Sequence, residues 1–170
     1  TAAKRDLCSA CDEDLDFTKT IFDAYLEGRT LITNQADLTD ILVQRDIILN
    51  TWEKVVAAVS IHYVNDVADD IAGLIAAADT SIAAGSAATA DYENHWGEMR
   101  GYANGLLYND FKAITDANLD RILQVMGTAP VYPSNGNFDD MQAYHTSLVG
   151  EVRAIFKASY GFSDANVAGW

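Results

Sequence analysis

His95 and Glu98 stand three residues apart in the stretch Asn94-His95-Trp96-Gly97-Glu98-Met99-Arg100-Gly101-Tyr102. On a helix that spacing puts both side chains on one face. An imidazole and a carboxylate aimed at one object make half of a transition-metal site, or an acid/base pair. A plainer reading stands beside it: a core histidine satisfied by a neighbouring carboxylate, with Glu98 bonded to a facing helix. Further donors must come from elsewhere in the chain. Glu53 and His62 are the candidates, nine residues apart on the preceding helical stretch, where they share a face only loosely. His62 follows Val59 at three and precedes Asp66 at four, so it suits an interior position. A histidine amid Val and Tyr is also a common packed core residue. His145 reads as exposed. The candidate metal set is therefore His95, Glu98, Glu53 and His62.

Other catalytic templates are missing. The chain has no H-E-x-x-H pair, no P-loop and no G-x-S-x-G. The acidic run Asp12-Glu13-Asp14 lacks the glycine and terminal Glu of an EF-hand and reads as a solvated helix start. Cys8 and Cys11 are spaced C-x-x-C, but a c-type haem site would need His where Asp12 stands, and a four-Cys zinc site needs a second pair. A short-loop disulfide, or pairing with another segment, is the simpler expectation. No N-x-S/T acceptor for glycosylation occurs.

The elements that must position these side chains are helices. Phe17, Ile21, Phe22, Tyr25 and Leu26 recur at three- and four-residue steps and predict a helix over about 15–31. A longer stripe starts near Asp37 and runs through Leu38, Ile41, Leu42, Ile48, Leu49, Trp52, Val55, Val59, Tyr63, Val67, Ile71 and Leu74. Forty unbroken helical residues would span about 60 Å, long for a domain of this size, so a break is expected around Asn65 to Gly73. The Ala/Ser/Thr/Gly stretch 76–90 reads as a frayed end and a loop. Helices are then predicted over about 90–108, 116–126 and 138–159, with both prolines in the loop 127–137. In the first of these, Tyr92, His95, Trp96, Met99, Tyr102, Ala103 and Leu106 form the apolar side. The fold class is all-α, a four- to five-helix up-down bundle over 15–162, with an N-terminal C-x-x-C segment over 1–14 and a tail over 163–170.

Composition narrows the partners. At 170 residues the chain suffices for one well-packed domain, and its 49% apolar content is that of a folded one. Its net charge of −14 comes from 11 basic and 25 acidic groups, with no Lys/Arg cluster. That sign opposes a phosphate backbone or an anionic membrane, so no nucleic-acid partner is expected. The longest nearly uncharged apolar run, Val55 to Val64, is about half a bilayer span. The start at Thr1, without Met, suits a processed or trimmed form or a piece of a longer protein.

His95-Trp96-Gly97-Glu98 through Gly101-Tyr102 resembles the H-x-x-E helix of the imelysin superfamily, helical extracytoplasmic proteins of bacteria. Ala24-Tyr25-Leu26-Glu27-Gly28-Arg29 is similar to the A-F-x-x-G-R segment of a branch with no assigned function. Arg45 to Ile48, Trp52 to Ala57 and Ile61 to Asn65 are similar to its long helix with W-E-x-V-x-A and H-Y-x-N. The resemblance runs over roughly 17–160. One departure is Glu93, where the pattern has glycine. The resemblance implies the C-terminal half of a double bundle, located in the periplasm or outside the cell. It also implies that the missing N-terminal half or a second copy completes it. The function expected is binding of a metal, iron first and zinc next, or of a metal-bearing ligand, with His95 and Glu98 carried over from the motif. A metallopeptidase with Glu98 as general base, and a scaffold whose motif only locks helix packing, are the alternatives.

Overall fold

The structure, a computed structural model, describes residues 2–6 and 15–170. Cys8, Cys11 and the acidic run Asp12 to Asp14 lie outside the described residues. Every regular element among those described is helical: α1 (Ala2–Asp6), α2 (Phe17–Thr33), α3 (Leu38–Ala77), α4 (Ala90–Gly105), α5 (Asp116–Met126), α6 (Asp139–Ser147), α7 (Arg153–Tyr160) and α8 (Asp164–Gly169). The fold is an all-α bundle. No helix among the described residues is long and apolar enough to cross a membrane.

Local chemistry sets most helix ends. The Asp16 carboxylate accepts from the backbone N–H of Lys19 at the start of α2, and Thr115 and Ser163 do the same for α5 and α8. Gly127 and Gly161 follow α5 and α7 with positive φ, the conformation that lets a chain leave a helix sharply. Between α6 and α7, residues Leu148–Val152 form a π turn that keeps the two helices on one continuous path.

The break expected in α3 does not occur, and the helix runs its full 40 residues. Asn65 does not compete for the helix backbone because its side-chain amide is used elsewhere. Its Nδ2 donates to the carbonyls of Val167 (3.0 Å) and Trp170 (2.9 Å). Gly73 costs about 1 kcal/mol in a helix interior, little against the packing of α4, α7 and α8 on the same rod. Length is accommodated by projection. The buried side chains of α3 begin at Glu53, and residues 38–52 extend past the core with α2 packed along them. Residues 163–170 fold back onto the bundle, where Val167 and Trp170 are buried and the Trp170 indole donates to the Arg5 carbonyl.

The core lies between α3 and the later helices. Val64, Val67 and Ile71 meet Met99 and Ala103 of α4, Leu119, Ile122 and Met126 of α5, and Met141, Leu148, Val152 and Phe156 of the α6–α7 path. At the lower edge of this core sits a charge. Glu53 is 4% exposed, and its Oε1 accepts from the Ala113 backbone N–H (2.8 Å) and the Tyr160 hydroxyl (2.7 Å). Its Oε2 accepts from Asn109 Nδ2 at 3.0 Å. One carboxylate thus ties α3 to α7 and to the loop after α4.

Glu53→Ala leaves all three donors without their shared acceptor, so urea denaturation should show a loss of about 3 kcal/mol. Tyr160→Phe removes one donor and should cost about 1 kcal/mol. Equal stability of Glu53→Ala and the wild-type chain would show that this carboxylate does not hold the loop.

Candidate functional site

α3 and α4 are antiparallel, and polar contacts step down one helix as they step up the other. Asp70 of α3 meets His95 of α4, with Oδ2 2.7 Å from Nδ1. One turn further along α4, Glu98 lies beside Tyr63, close enough for its carboxylate to raise the phenol. Tyr63 also stacks on Tyr102, with ring centroids 5.6 Å apart, and sits 6.1 Å from the His95 ring. On α3 itself, His62 Nε2 lies 3.2 Å from Asp66 Oδ2, and the His62 and Tyr63 rings are 4.9 Å apart. Two histidine–carboxylate pairs thus flank one tyrosine on a half-buried seam.

Electrostatics separates the two histidines. Burial pushes His95 down, but the hydrogen bond and charge of Asp70, helped by Asp66 and Asp91, more than offset it, and its pKa lies above the ordinary histidine value. His62 moves the other way. Burial lowers it, the Arg5 cation lowers it further, and Asp66 opposes both only in part. Tyr63 is pushed up to about 12 by burial and by the Glu98 carboxylate.

His95 and Glu98 share one half-buried face of α4, as the spacing predicts. They take different partners there: Asp70 orients the imidazole, and Glu98 is engaged by Tyr63. The four proposed ligands do not gather at one point. Glu53 stands about 14 Å along α3 from His62, and both its oxygens are committed to protein donors. Among the described residues, no three His, Cys, Asp or Glu side chains converge on a common centre. His145, read as exposed, is half-buried on α6.

Asp70 is the residue that sequence reasoning missed. A faint signal was present, since Asp66 and Asp70 follow His62 at four and eight residues and continue its face. Trp96 acts structurally. Its indole donates to the Tyr144 hydroxyl (2.9 Å) and the Met126 carbonyl (3.3 Å), fixing the roll of α4. Glu93 also finds a purpose. Its Oε1 accepts from Gly85 N, Thr89 Oγ1 and Tyr132 Oη, pinning the loop before α4 and holding its own pKa down.

Below the seam, α2, α3 and α4 enclose a groove of about 820 Å³. Tyr25, Trp52, Tyr102 and Tyr108 stand around it, Glu53 and Glu98 border it, and Gly101 and Gly105 leave the α4 wall open.

If Asp70 raises His95, then Asp70→Asn leaves burial as the largest remaining influence. NMR titration of the imidazole should place His95 above the ordinary value of about 6.5 in the wild-type chain and clearly lower in Asp70→Asn. An unmoved titration would remove Asp70 as the cause.

No protein-family model, no curated protein and no solved structure matches this chain.

Proposed function

We propose that this chain is an extracytoplasmic binding protein, one bundle of an imelysin-like architecture. It holds a metal-bearing ligand, iron first, through His95 on the α3–α4 seam. The observation that supports this reading is the Asp70–His95 hydrogen bond. With Nδ1–H donated to the carboxylate, the neutral ring presents Nε2, and the anionic partner makes that nitrogen a better donor. Glu98, from the same face, adds negative charge and a second oxygen donor. Donor count favours a metal that arrives already chelated. A bare ion would take most of its coordination positions from water here, because no three ligating side chains converge among the described residues. A chelate needs one or two protein donors. Peptide hydrolysis finds less support, since it calls for three protein ligands and an open, water-bearing position.

Ferric nitrilotriacetate titrated into the full chain, followed by tryptophan fluorescence, tests the assignment. Saturable binding should weaken tenfold or more in His95→Ala, about 1.4 kcal/mol. Affinity should also fall on acidification, because protonated imidazole cannot ligate. The fall should begin above pH ~6.5, since Asp70 raises the value through which His95 protonates. Unchanged binding in His95→Ala would overturn the assignment, and metal-dependent cleavage of a peptide, lost in Glu98→Gln, would replace it with the enzyme.

A partner is part of the same proposal. Phe22 and Leu26 are exposed on the side of α2 turned away from Phe17, Ile21 and Ala24. This side of α2 is where the other half of a double bundle or a second copy would pack. Light scattering over a range of concentrations should reveal self-association of this chain. Monomer at the highest concentration would count against the second copy.

A further inference from the structure

The groove between α2, α3 and α4 has a chemistry of its own, independent of the metal reading. Its border carries a buried negative charge with no cation paired to it. Glu53 is held only by neutral donors, an amide side chain, a backbone N–H and a phenol, and no ion pair among the described residues involves it. Lys112 feels this charge but forms its ion pair with Asp116. Glu98 adds a second carboxylate on the α4 wall. Around these charges stand the rings of Trp52, Tyr25, Tyr102 and Tyr108, and Tyr108 is 87% exposed. Aromatic faces attract cations through their quadrupoles, and more strongly where water is partly excluded.

The α4 wall of the groove is built in part from residues a helix disfavours. Gly101 and Gly105 lie one turn apart on α4 and face the groove, and a Cβ placed at either would meet nothing within 4 Å. Alanine at Gly101, inside α4, would strengthen the helix with no clash, and at Gly105, its last residue, would also meet open space, so close packing does not account for either glycine. What the two glycines provide is open volume beside aromatic rings and carboxylates.

We infer that this groove binds a small organic cation, a quaternary or protonated amine on an apolar body. The ammonium would be drawn to the carboxylate side among the aromatic faces, and the apolar portion would lie along Ile48, Leu49 and Val56. The chain's net charge of −14 favours the approach of such a ligand from solution.

Benzyltrimethylammonium is a suitable probe, with its uncharged carbon isostere neopentylbenzene as control. Titration of the full, metal-free chain should show saturable quenching of tryptophan fluorescence by the cation, with at least tenfold tighter binding than the isostere. Gly105→Leu fills the groove without altering charge, and its thermal midpoint should match or exceed that of the parent. Cation affinity in that variant should fall tenfold or more. Trp52→Ala removes an exposed ring and should weaken binding to a similar degree, read by calorimetry because the fluorophore is lost. Equal affinity for the cation and its isostere, absence of saturable binding, or a folded Gly105→Leu that binds as the parent does would overturn the inference. The last result would also identify any observed binding as general attraction to an acidic surface. Because the probe contains no metal and neither variant touches His95, failure here is distinguishable from failure of the metal assignment.

Discussion

The antiparallel register of α3 against α4 is the constraint on which the rest of the molecule depends. It is fixed at three levels: Asp70 with His95, Tyr63 with Glu98 and Tyr102, and Glu53 with Asn109 just past the end of α4. A slip of one residue would rotate α4 by about 100° and separate every one of these pairs. Between them the buried faces of both helices close the core, so the polar ladder and the apolar packing specify the same alignment. Trp96 then locks the roll of α4 against α5 and α6 through one indole N–H. Site and groove are therefore consequences of a single helix pairing.

Much of this pairing was legible in the sequence because helical periodicity reports which residues share a face. The stripe through Val55, Val59, Val67 and Ile71 does lie inside, and His95 and Glu98 do share a face. Periodicity says nothing of what stands opposite. Asp70 is 25 residues from His95, and only the hairpin of α3 and α4 brings them together. Glu53 could be placed on its helix, but its donors come from residues 109, 113 and 160, which no spacing rule connects. It therefore looked like a free ligand when it is a satisfied anchor.

The continuity of α3 illustrates a different failure. Asn65 and Gly73 are poor helix residues, and compactness argued against a 60 Å rod. Both arguments are local or average, and a tertiary contact overrides them. The Asn65 amide is withdrawn from local competition by the C-terminal carbonyls that it binds. The excess length becomes an arm in which α2 packs along the start of α3. Gly28 of α2 faces Gln44 of α3 so closely that a Cβ there would stand 3.4 Å from the Gln44 Cβ, which is how the two helices of the arm approach.

Position along that rod divides the chemistry. Towards its C-terminal half, the seam carries histidines shifted in opposite directions, His95 up beside Asp70 and His62 down through burial and Arg5. Nearer its middle, the groove carries carboxylates and aromatic rings but no histidine. Nitrogen donors suited to a transition metal and acceptors suited to an organic cation are thus kept apart by about two turns of one helix. Glu98 stands at the junction, since it belongs to the His95 face and also borders the groove. The H-x-x-E spacing accordingly sets a histidine on the seam and a carboxylate at the edge of the groove.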